Sequence, residues 1–136
     1  MTHPSSTLRR SVALFFAALL TIGAAACTSG GGASPGATVS VTDGAVTINS
    51  DNLAFDVGTI QAPSGTPFTV TLNNLEGQPH NFAVYTREGG DVIVQGSIIT
   101  GPDASTVVDV PALEPGTYYF QCDVHPDMKG SIVVSG

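Results

Sequence analysis

The chain has 136 residues, enough for one domain and an appendage, and it sets four basic side chains against eleven acids for a net charge of −7. That balance argues against nucleic acid and anionic lipid as partners, because both are polyanions. Only two Cys, two Met and three His are present, so soft-metal or redox chemistry must draw on very few side chains.

Residues 1–26 carry a basic pair, Arg9 and Arg10, followed by the apolar run VALFFAALLTIGAAA. A basic head, an apolar stretch of this length and small residues at its end predict a secretory signal. The run falls short of the roughly 20 apolar residues a membrane span needs. Cys27 follows Ala24-Ala25-Ala26, and this junction resembles the lipobox of bacterial lipoproteins. The resemblance implies cleavage before Cys27, with lipid on its sulfur and on the new amino group. The alternative is plain secretion with Cys27 left as a free thiol. Residues 27–37 are dominated by Gly, Ser and Pro, the composition of a flexible tether. Loss of the signal leaves Arg87 and Lys129 against eleven acids, near −9. The expected organisation is a signal at 1–26, a lipidated cysteine and tether at 27–37, and one domain at 38–136.

From residue 38 onward the apolar period is two, the period of strands. TVSVTDGAVTI sets Val39 and Val41, then Val46 and Ile48, about an Asp43-Gly44 dipeptide that favours a tight hairpin. LAFDV follows, then PFTVTLNN with Phe68, Val70 and Leu72 on one face. HNFAVY, DVIVQGSII, STVVDV, TYYFQC and SIVVS complete the candidate strands, separated by turn signals such as Pro63-Ser64-Gly65 and Glu114-Pro115-Gly116. Seven to eight short strands and no helical stripe predict an all-β fold, a β-sandwich or a small barrel.

Strand parity also places chemistry. Tyr118, Phe120 and Cys122 share a face, and so do His80, Phe82 and Val84. If the phenylalanines point inward, so do the imidazole and the thiol, and two strand ends can meet although 41 residues lie between His80 and Cys122. The stretch FQCDVHPDMKG then spaces Cys122, His125 and Met128 three residues apart. Together with His80 these are all the Cys, His and Met residues beyond Cys27. A thiolate, two imidazoles and a thioether favour copper. Zinc rarely takes a thioether, and calcium and magnesium want oxygen.

These residues carry a family resemblance that covers most of residues 45–136. GTYYFQCDVHPDMKGSIVV is similar to the G-T-Y-x-F-x-C-x-x-H segment of the cupredoxins, blue (type 1) copper proteins, and Pro79-His80-Asn81 is similar to their Pro-His-Asn. The chain looks closest to the plastocyanin and amicyanin type, with the contracted, amicyanin-like spacing from His125 to Met128. The resemblance implies a Greek-key β-sandwich in which His80, Cys122 and His125 are equatorial copper ligands and Met128 is axial. It implies that the Asn81 side chain ties the two ligand loops together while its backbone N–H points at the sulfur. Where short family members carry proline, this chain has Val124, whose N–H is expected to approach the thiolate as well. His125 is implied as the electron exit through an apolar patch, with Pro126 and Pro79 at its edge.

Four protein donors leave no open coordination position, which points away from an enzyme. The expected function is an extracytoplasmic one-electron carrier using one Cu(II)/Cu(I) ion. The alternatives are a copper-binding protein for delivery or storage, and a metal-free adhesion module. The expected partner is a redox protein such as a basic cytochrome or a membrane oxidoreductase, steered by Glu76, Asp123 and Asp127. The lipid anchor would hold the domain at the cell membrane.

Overall fold

The computed structural model describes residues 36–136; the signal expected at 1–26, the lipidation expected at Cys27 and all but the last two residues of the expected tether lie outside them. Ten strands run in chain order: β1 (Ala37–Ser40), β2 (Ala45–Asp51), β3 (Ala54–Phe55), β4 (Val57–Pro63), β5 (Phe68–Asn74), β6 (Ala83–Tyr85), β7 (Val92–Gln95), β8 (Ala104–Val110), β9 (Gly116–Gln121) and β10 (Lys129–Ser135). They form a six-stranded sheet, β1-β4-β10-β9-β6-β7, and a four-stranded sheet, β3-β2-β5-β8. The all-β sandwich expected from the two-residue period is therefore present.

The strands number ten rather than seven or eight, and the chain changes sheet at two places, at Asp43-Gly44, where a hairpin was expected, and within LAFDV, which reads as one strand. Asp43 and Gly44 both take positive φ, as a tight hairpin turn requires. The ladder beyond them is one bridge long, Thr42 to Ala45, after which β1 joins β4 and β2 joins β5. LAFDV likewise splits at Asp56, with β3 in one sheet and β4 in the other. Asp56 anchors that break by accepting from the Asn49 N–H at 2.9 Å and Asn49 Nδ2 at 2.7 Å. Leu53, expected at a strand start, instead sits with Asn52 in a positive-φ turn.

Between the sheets lies an apolar core. Alternate residues of β5, Phe68, Val70 and Leu72, are buried, and they meet Ile60, Val84, Phe120 and Ile132 of the facing sheet. Phe55, Phe82 and Phe120 form an aromatic cluster with centroids 5.0–6.2 Å apart. Phe82 lies two residues after His80 and Phe120 two before Cys122. The hydrophobic driving force that buries these rings thus also draws the two donors to one end of the core.

Candidate metal centre

Three neighbouring strands of the larger sheet, β10, β9 and β6, converge on this end. The β9–β10 ladder pairs Gln121 with Lys129, and one step further the Cys122 N–H donates to the Met128 carbonyl at 2.9 Å. That bond closes the loop holding His125, and a turn bond from Met128 N–H to His125 O at 2.9 Å tightens it. On the other side His80 exchanges two backbone bonds with Ile99, each 2.9 Å, just before β6 begins.

Cys122 Sγ lies 3.8 Å from His80 Nδ1 and 4.0 Å from His125 Nδ1, and the three donor atoms all fall within 4.8 Å of one another. The imidazole centroids are 5.0 Å apart. Bonds of about 2.3 Å to sulfur and about 2.05 Å to nitrogen, meeting at a trigonal angle, separate S and N by about 3.8 Å. The spacing therefore suits one shared ion. His80 and Cys122 are fully buried, Met128 is buried, and His125 is half-buried. His125 lines a surface groove with Leu53, Val124, Pro126, Asp127 and Met128. Pro126 and Val124 are exposed there, while Pro79 is half-buried and apart from the groove.

The imidazole of His80 is oriented from behind. Its Nε2–H donates to Glu76 Oε1 at 2.9 Å, which leaves the Nδ1 lone pair facing the sulfur. The same oxygen accepts from the Leu53 N–H at 2.8 Å. The Leu53 N–H bond, helped by the His80 bond and opposed by burial, holds the Glu76 carboxyl below its usual range. Asn74 shapes the loop carrying Glu76: its Nδ2 donates to Gln78 O at 2.7 Å and its Oδ1 accepts from Glu76 N–H at 3.1 Å.

Asn81 does tie the ligand loops together. Its Oδ1 accepts from the Asp123 N–H at 2.8 Å, and its Nδ2 donates to Asp123 Oδ2 at 2.7 Å and to Gly96 O at 3.3 Å. The hydrogen-bonding partners of Cys122 Sγ are the two imidazoles; the backbone donors expected from Asn81 and Val124 are not among them. The steering role expected of three acids also changes. Glu76 and Asp123 are bound inward, and Asp127 is the exposed one.

Asp123 accepts from Asn81, from Gln95 Nε2 at 2.6 Å, from Gln121 Nε2 at 3.3 Å and from the Tyr85 hydroxyl. Burial works to raise its pKa, but the bonds from Asn81, Gln95, Tyr85 and Gln121 outweigh it and hold the carboxyl below its usual range. The bond to Asp123 in turn pushes the Tyr85 phenol up. Sequence reasoning missed these supports. Asn74 was detectable as a polar residue at the inward parity of β5, whereas Tyr85 and Gln95 gave no signal.

The cupredoxin-like domain family matches residues 12–134. Amicyanin from Paracoccus denitrificans is 30% identical over 101 residues, which cover 74% of this chain and 73% of that protein. A dithionite-reduced auracyanin from Roseiflexus castenholzii shares the fold with a TM-score of 0.60 and 26% identity, covering 71% of this chain and all of the other. Amicyanin variants, solved in an oxidised state and in a Cu(I) form, superpose with a TM-score of 0.52 and 27% identity over 70% of this chain and 86% of theirs. A two-sheet sandwich with a thiolate and two imidazoles converging at one end, matched along nearly its whole length, places the chain in the cupredoxin-like family.

Proposed function

We propose that this chain is an extracytoplasmic one-electron carrier whose His80, Cys122, His125 and Met128 hold a single copper ion. The observation that carries the reading is the convergence of Cys122 Sγ with His80 Nδ1 and His125 Nδ1 within 4.8 Å. Amicyanin's oxidised and Cu(I) forms support the same metal and the same couple here. When bound, copper supplies the one-electron couple.

The chain's own residues do the rest. Cys122 offers its sulfur from the end of the core, where the paired β9 and β10 fix it. Glu76 keeps the His80 tautomer and ring plane constant, so that ligand need not reorganise between oxidation states. The buried setting of Met128 keeps water from the site. His125 reaches the groove and is the exit for the electron, flanked by Leu53, Val124 and Pro126. Four donors leave no vacancy for a substrate, which favours a carrier over an enzyme.

Residues 1–26 are assigned as the signal, 27–37 as a tether lipidated at Cys27, and 38–136 as the carrier domain. Among the described residues no helix is long and apolar enough to cross a membrane, and the anchor proposed is the lipid alone. The acidic surface, with Asp127 beside the groove, fits a basic cytochrome or membrane oxidoreductase as partner.

Reconstitution with Cu(II), followed by optical and electron paramagnetic resonance spectroscopy, tests the reading. The expected result is an intense visible band toward the red, arising from copper–thiolate charge transfer. Preferential Cu(I) uptake without colour would replace the carrier by a delivery or storage protein.

A further inference from the structure

Asp123 follows Cys122 directly, and its carboxylate is turned inward. Its side-chain hydrogen-bond donors are Asn81, Gln95, Gln121 and Tyr85, drawn from the loop before β6 and from β6, β7 and β9. All are neutral amides or a phenol. The two cations of the described residues, Arg87 and Lys129, are not among its partners, and Lys129 pairs with Glu88 instead. The unit charge is therefore spread over its donors without being cancelled by an opposite charge.

We propose that Asp123 is a positioning and charge-setting residue of the redox site: a fixed anion one residue from the donor sulfur that biases the site toward its oxidised form. This inference rests on the carrier reading. Gaining one electron lowers the positive charge of the site by one, with no bond made or broken. A nearby anion attracts the more positive state more strongly, so it disfavours reduction. Bulk water would blunt the attraction, but a half-buried carboxylate under four donors lies outside that regime. Ordered outer partners of a metal site set its potential in this way. The positioning part is separable: it runs through the Asp123 N–H to Asn81 Oδ1, which a neutral residue at 123 retains.

Two changes of opposite electrostatic sense test the idea on the copper-loaded protein. Asp123→Asn and Asp123→Ser remove the charge and should shift the reduction potential to more positive values. Tyr85→Phe removes one donor, leaves the carboxylate less neutralised, and should shift it to more negative values. A role in loosening or tightening the loop alone predicts shifts of one sign in all three; that result, or no shift, overturns the proposal. Tyr85→Phe keeps the test alive if both Asp123 variants fail to fold. In the metal-free protein, ultraviolet titration should show Tyr85 ionising at lower pH once Asp123 is Asn, and an unchanged titration also overturns the proposal. A wild-type protein lacking the copper–thiolate band sinks the carrier reading and this inference with it. A normal wild-type band with unshifted variants sinks only the inference.

Discussion

Replacing Glu76 with Ala removes one oxygen that serves two donors, the Leu53 N–H at 2.8 Å and His80 Nε2–H at 2.9 Å. The two losses are unequal. Leu53 is half exposed, so its N–H turns to water at little cost. His80 is fully buried, and an unpartnered buried donor costs about 1–3 kcal/mol. The Glu76 side chain is itself 17% exposed, so water can enter its place, and the lower half of that range, about 1–2 kcal/mol, applies. For a domain near 100 residues this lowers the melting temperature of the metal-free protein by roughly 4–16 °C. The freed imidazole can also change tautomer, and outer partners of this kind are worth about 10–100-fold in metal affinity. Calorimetry of the metal-free protein and competitive copper titration read the two effects separately. Glu76→Gln retains an acceptor oxygen and should fall between Ala and wild type. The reasoning is refuted by a Glu76→Ala protein that melts like wild type and loses less than about tenfold in copper affinity.

Gly130→Ala places a methyl group into the Phe120 ring and the Gly58 carbonyl, and the carbonyl is backbone that cannot swing aside. Overpacking of this kind should cost about 1–3 kcal/mol in urea unfolding. Asn81→Ala strips partners from the Asp123 N–H, the Asp123 carboxylate and Gly96 O, and should destabilise the fold by about 2–4 kcal/mol while weakening copper retention on gel filtration. Glu76 and Asp123 both have carboxyls held below their usual range in the folded state. Their stabilisation is therefore full above the ordinary carboxylate range and is lost as pH falls through the folded values. Acid unfolding of the metal-free protein should accordingly steepen below that range, and Asp123→Asn should flatten the curve. Cys122→Ser should abolish the red visible band while leaving the far-ultraviolet circular dichroism of the sandwich intact.

The ligand set was legible because it depends on scarcity and parity. Cys122 and His80 each stand two residues from a phenylalanine that the core must bury, so burial of Phe120 and Phe82 announced theirs. Where the chain changes sheet was not legible. The turn at Asp43-Gly44 was legible, but not that β1 and β2 leave it for different sheets, and the break at Asp56 leaves the alternation of Leu53, Phe55 and Val57 intact, because a strand keeps its period whichever sheet receives it. For the same reason LAFDV read as one strand, and β4 beyond Val57 went unnoticed among half-buried residues such as Gly58 and Thr59. The supports of the site were hidden by sequence distance. Asp123 meets Tyr85 and Gln95 across 38 and 28 residues, and only the β6–β9 and β6–β7 pairings bring them together. The acids near the ligand loops suggested an attraction for partners, but the geometry turned two of them inward.

The chain crosses from the smaller sheet to the larger between β5 and β6, and this crossing carries both Glu76 and His80. An ion gripped by His80 and by Cys122 at the end of β9 therefore staples the incoming crossover to a central strand, like a clasp across the open mouth of a folded sleeve. Loading the site should slow amide hydrogen exchange well beyond the ligands, at Asn74 of one sheet and Ala83 of the other, because sliding of either sheet past the other would first have to open the clasp.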